Sequence, residues 1–96
     1  MITIENLDKI VGEKIGIGHG REDWQFTNPT KWSDHYHFPL INGNKMKHVH
    51  IHRDRMAFEY NNELYKIEHK HMKSKEAFAM FACAVINGYD TLYTKL

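Results

Sequence analysis

Between residues 35 and 70, apolar and polar side chains alternate, with breaks only at short polar pairs. A period of two is the signature of strands that bury one face. It predicts four sequential strands over 35–41, 44–52, 55–60 and 63–70, joined at Asn42-Gly43, Arg53-Asp54 and Asn61-Asn62. Asn-Gly and Asn-Asn suit a tight hairpin because both residues tolerate positive φ, whereas Arg-Asp is a poorer two-residue turn. Two-residue turns would set Val49 against Tyr36, Phe58 against Val49, Met56 against Ile51, Tyr65 against Phe58 and Ile67 against Met56. Tyr36, Phe38, Leu40, Val49, Ile51, Met56, Phe58, Tyr60, Tyr65 and Ile67 then share one apolar face of an antiparallel meander. Pro39 conflicts with this register. It falls where the neighbouring strand needs a backbone donor, so a bulge or a frayed end is expected near it.

After residue 70 the period changes. Ser74 is a good N-cap, and SKEAFAMFACAVING runs helical to a stop at Gly88. Phe78, Phe81, Ala82 and Val85 form a stripe suited to the apolar sheet face. Ala77, Met80, Cys83, Ala84 and Ile86 carry apolar character around most of the helix, which therefore needs cover on more than one side. The N-terminal helix and the tryptophan loop are the favoured cover, with a second copy of the chain as the alternative. Near the N-terminus, Thr3 can cap a short helix through Ile4, Leu7, Ile10 and Val11, ended by Gly12. In GEKIGIGHG, glycines alternate with Ile15 and Ile17, which reads as a glycine-bearing strand; it lacks the order of a phosphate loop. Residues 19–34 follow neither period and read as a long loop with a brief extended piece around 24–26. The expected fold is α+β: an antiparallel four- to five-stranded β-meander, a C-terminal α-helix packed on one face and a short N-terminal helix, with residues 1–96 as a single domain.

Composition narrows the setting. With 42% hydrophobic and 26% charged residues, the chain is globular and not disordered. At 96 residues it buries only about 60–65% of its unfolded surface, so its core is small. Cys83 is the single cysteine, which rules out internal disulfides and thiolate metal clusters. MITIENLDK shows no secretory pattern, and no apolar run reaches the ~20 residues of a membrane span. A cytoplasmic protein with no membrane partner is the expectation.

The candidate chemistry lies in HYHFPLINGNKMKHVHIH, which holds five of the eight histidines. His35, His37, His48, His50 and His52 all fall on the face opposite Val49 and Ile51. The expected register sets His37 opposite His48, His35 opposite His50, and Glu59 beside His48. Two imidazoles and a carboxylate are a zinc or iron ligand set that leaves room for water. His37, His48 and Glu59, with His35 and His50 nearby, are thus the candidate ligands of zinc or another divalent transition metal, and a metal-dependent hydrolase or nuclease is one reading. Against it, alternating histidines on the wet side of an antiparallel sheet require no ligand. DHYHFPLINGN faintly resembles the first half of an HNH-type nuclease site, but further strands follow where that family places its metal-binding helix. By parity His69 is the partly buried histidine near the end of the last strand.

The net charge is +1, with nine Lys/Arg against six Asp/Glu in residues 45–96. A nucleic-acid-binding module using Lys66, Lys70, Lys73 and Lys75 is therefore allowed but not demanded. The first choice is a small regulatory protein that binds another protein without catalysis and needs no cofactor. Its anchors would be Arg21, Trp24, Phe26 and Trp32, since aromatic residues and arginine dominate interface energetics. Each tryptophan is equally a candidate core residue.

Overall fold

The computed structural model describes residues 1–15 and 23–96. Its sheet is antiparallel, with strands β1 Gln25–Phe26, β2 Thr30–Lys31, β3 His35–Asn42, β4 Lys45–His52, β5 Ala57–Tyr60 and β6 Glu63–Lys66. The order is β1-β3-β4-β5-β6, with β2 also paired to β3. One main helix, α1 Lys75–Asn87, follows, and a 3-10 turn Ile4–Ile10 precedes the sheet. The architecture is α+β, as the alternation and its switch to helical spacing implied. The expected glycine strand around Gly16 and Gly18 lies outside the described residues.

The third hairpin keeps its expected form. Phe58 pairs with Tyr65, and Asn61 and Asn62 have φ of 52° and 64°. Two positive values in succession are what a type I′ turn needs. The first two hairpins differ. Asn42 pairs with Lys45, so the turn is Gly43-Asn44, one residue later than expected. Of its central residues only Gly43 has positive φ, at 62°, which fits glycine at the first central position of a type II′ turn. The β4–β5 connection spans four residues, Arg53 to Met56, because His52 pairs with Ala57; Met56 takes up φ 48° within it.

Each change moves the pairing by two residues. Val49 faces Phe38 in place of Tyr36, and Phe58 faces Ile51 in place of Val49. Pro39 supplies the physical reason in the first hairpin. The Arg53 N–H donates to the Asp34 carbonyl at 2.9 Å. That bond sets the phase, so even-numbered β3 residues form the hydrogen-bonded pairs with β4 and odd-numbered ones do not. Pro39, opposite His48, owes β4 no donor. Its carbonyl points the other way and accepts from the Thr27 N–H at 3.0 Å. Neither a bulge nor a frayed end is needed, because moving the turn by one residue removes the conflict.

A shift of two preserves faces, so the expected core survives. Tyr36, Phe38, Leu40, Val49, Ile51, Phe58, Tyr65 and Ile67 are buried, and Met56 and Tyr60 pack at the margin. Each large apolar side chain fully withdrawn from water contributes about 1.5–3 kcal/mol. Helix α1 lies on this face, with Phe78 ring-to-ring against Phe26 and Phe58 at 6.2 Å and Phe81 edge-on to Phe58 at 5.4 Å. Ser74 Oγ accepts from the Ala77 N–H, and Gly88, at φ 75°, ends the helix. Cover for the other sides of α1 comes from the turn Ile4–Ile10 and from two further 3-10 turns, His69–Met72 and Asp90–Leu92. Met80 stays exposed.

The last strand is shorter than expected. It ends at Lys66, and the chain turns inward so that His71 and Met72 are buried while His69 is exposed. His71 is therefore the buried histidine of the pair. Its ring stacks on Phe81 at 4.0 Å, and its Nδ1 accepts from the Glu68 N–H at 3.0 Å. The β6 edge is closed by the C-terminal segment, through Lys66 N–H to the Thr94 carbonyl and Leu96 N–H to the Leu64 carbonyl, both 2.8 Å.

Candidate functional site on the open face of the sheet

On the face away from α1, β3 presents His35, His37, Pro39 and Ile41, and β4 presents Met46, His48, His50 and His52. All of these face one another as non-hydrogen-bonded pairs, where side chains approach most closely. Ring centroids are accordingly near: His37–His50 4.8 Å, His37–His48 4.9 Å, His35–His50 5.4 Å and His35–His52 5.8 Å. His48 is exposed and the other four are half-buried.

The register rearranges the expected ligand set. Glu59 stands opposite His50, not beside His48, so the row across three strands is His37, His50 and Glu59. Glu59 Oε1 lies 2.7 Å from His52 Nε2, and its other oxygen 3.6 Å from His50 Nδ1. The His52 hydrogen bond, with help from nearby His50, holds the Glu59 carboxyl below the usual carboxylate range, although burial opposes this. His37 Nε2 lies 2.7 Å from His48 Nδ1. The five histidines thus divide into a His37–His48 contact and a His50–His52–Glu59 group, with His35 edge-on to His50 and tilted against His52, and Asp34 2.8 Å from His35 Nδ1. Burial, then the neighbouring His50, His48 and His35, push the His37 pKa down and favour its neutral form. Among the described residues, no three or more His, Cys, Asp or Glu side chains converge to hold a metal ion.

The aromatic candidates separate. Trp24 and Phe26 are core residues, 4% and 1% exposed, and cannot anchor a partner from this position. Trp32 is 55% exposed. Its N–H donates to the His35 carbonyl at 2.9 Å, and its ring stacks on His35 at 6.2 Å with 20° between planes. Arg21 lies outside the described residues. Of the candidate phosphate contacts, Lys66 ends the row His35, His52, Ala57, Lys66 on the open face. Lys70, Lys73 and Lys75 sit apart, the first two on the connection after β6 and the third at the start of α1, with Lys70 3.8 Å from Glu68 and Lys75 3.8 Å from Glu13.

The expected ligand set omits His52, because the expected register puts Glu59 beside His48, four residues back along β4, whereas it stands opposite His50 and bonds His52. At the margin of the sheet the Arg53 guanidinium lies 4.8 Å over the Tyr36 ring. The misplaced proline was the signal that could have corrected the register.

Comparison of the chain with protein-family models, curated proteins and solved structures finds no match. Any functional reading therefore stands on this face itself. Among the described residues no helix is long and apolar enough to cross a membrane.

Proposed function

We propose that the protein acts by binding another protein, in the cytoplasm, through the open face of its sheet and without catalysis. The observation that carries this reading is Trp32, a large aromatic side chain left in solvent yet ordered by stacking on His35. Holding an exposed tryptophan in one orientation reduces the entropy lost when a partner covers it. The rest of the face fits the same role. Pro39, Ile41 and Met46 give an apolar end near the first hairpin, roughly 20 Å along β3 from the Trp32 end. Between them lie imidazoles, which can be neutral near pH 7 and then cost less to desolvate than lysines. Tryptophan and methionine are enriched at interfaces, and charged residues are depleted at their centres. A buried thiol at Cys83 is compatible with that reducing setting.

The test compares proteins captured by wild type, by Trp32→Ala and by Met80→Ala, which alters an exposed apolar residue on α1. Circular dichroism first establishes that the variants are folded. We expect a partner held by wild type and by Met80→Ala, and released by Trp32→Ala. Equal capture by all three would remove the open face as the interface.

A further inference from the structure

His37 Nε2 and His48 Nδ1, 2.7 Å apart on adjacent strands, point at each other across the diagonal of two non-hydrogen-bonded pairs. A neutral imidazole pair at this distance shares one proton. A metal ion replacing that proton would lie beside the line between the two nitrogens, bonded to both. The spacing discriminates between metals. Two nitrogens about 2.0 Å from a tetrahedral ion are roughly 3.3 Å apart, whereas adjacent positions of a tetragonal ion are roughly 2.8 Å apart. The observed gap is near the second value, so the two nitrogens already have the spacing of adjacent tetragonal positions, and each ring needs to turn by roughly 45° to direct its lone pair at the ion. Tetragonal coordination by nitrogen and oxygen is the preference of Cu(II) and Ni(II), and Cu(II) binds most tightly of the divalent first-row ions.

We infer that His37 and His48 form a two-histidine site for a tetragonal divalent ion, Cu(II) foremost, with water completing the coordination. The site differs from the three-ligand set expected from sequence, since Glu59 belongs to His50 and His52. Both ligands stand on paired strands of one sheet, so binding turns two side chains and orders little new chain. It does not depend on the protein-binding reading and is tested without any partner.

The experiment titrates the intact chain at pH 7.5 with Cu(II), using glycine as a competing chelator, and follows uptake by electron paramagnetic resonance. We expect one equivalent bound, with Ni(II) and then Zn(II) weaker. His37→Asn and His48→Asn should each weaken uptake at least as much as losing a ligand's supporting hydrogen bond, about 10–100-fold. His35→Asn and His69→Asn should bind like wild type. In wild type, substoichiometric Cu(II) should broaden the imidazole proton resonances of His37 and His48 first, which needs no variant to fold. Absence of uptake, undiminished uptake in His37→Asn and His48→Asn, preference for Zn(II), or first broadening at His69 or His71 would each overturn the inference.

Discussion

Register decides which side chains meet on the histidine face, and a cross-link reads register directly. His37 and His50 are a non-hydrogen-bonded pair. Directly opposed Cβ atoms are about 4.5–5.5 Å apart, whereas diagonal neighbours are separated by up to about 7–8 Å. A disulfide needs roughly 3.5–4.5 Å between Cβ atoms. Imidazoles are long enough to touch across the diagonal, as His37 and His48 do, but cysteines are not. Oxidised His37→Cys/His50→Cys should therefore close cleanly, and His37→Cys/His48→Cys should not. The closed loop holds about fourteen residues, for which chain entropy sets a ceiling near 3 kcal/mol. In a domain of this size that ceiling corresponds to a midpoint increase of roughly 12–24 °C, and strain in the bridge lowers the gain. The assay is thiol counting by mass after alkylation, with thermal melts with and without reductant. Cys83, buried and free, contributes one thiol to both variants. Preferential cross-linking of the His37→Cys/His48→Cys variant would refute the pairing and restore the arrangement first expected from sequence.

Other consequences are as direct. Pro39→Val should change stability by less than about 0.5 kcal/mol, while Leu40→Pro, at a hydrogen-bonded position, should cost about 3 kcal/mol or more; urea midpoints distinguish the two. Glu59→Gln should cost about 1 kcal/mol at pH 7, where a charge-assisted bond to His52 is lost from a partly exposed site. A carboxyl with a depressed folded pKa stabilises fully above its unfolded value, near 4.3, and loses that contribution as pH falls through the lower folded value. The gap between wild type and Glu59→Gln should thus narrow below about pH 4, and a constant gap down to pH 3.5 would disprove the cause. Burial depresses both His37 and His71, so the unfolded chain takes up protons first and the fold weakens as pH drops below about 6.5. Urea midpoints at pH 7.5, 6.5 and 5.5 should show a shallower decline in His71→Gln than in wild type; identical slopes would clear His71 of the effect.

The elements were legible because each had a local cause. Ser74 and Gly88 bracket α1 in the sequence as they do in space. Asn61-Asn62 announces its own turn. Strand parity fixed the core face, and the brief extended piece at 24–26 appears as β1. Features set by distant partners were less accessible. Trp24 and Trp32 have similar polar surroundings in the chain, yet one packs with Phe26 and Ile15 in the core while the other rests on His35 at the surface. His69 and His71 share parity, and no period distinguishes them. The difference arises because the chain leaves the sheet at Lys66 and turns His71 onto Phe81, a residue of the later helix.

The register error shows why a face can be read more securely than a site. Side-chain direction along a strand repeats every two residues, so a pairing shifted by two leaves every residue on its own side of the sheet. The buried face stays correct because water sees only sides. A site depends on which residues are opposite one another, and the same shift moved Glu59 from His48 to His50. The constraint that could have settled this was backbone chemistry. With the turn at Asn42-Gly43, Pro39 would have had to donate to β4; with the turn at Gly43-Asn44, it points its carbonyl to Thr27 and owes β4 nothing. One residue without an N–H thus carries the information that five histidines could not, and it determines which of them Glu59 meets.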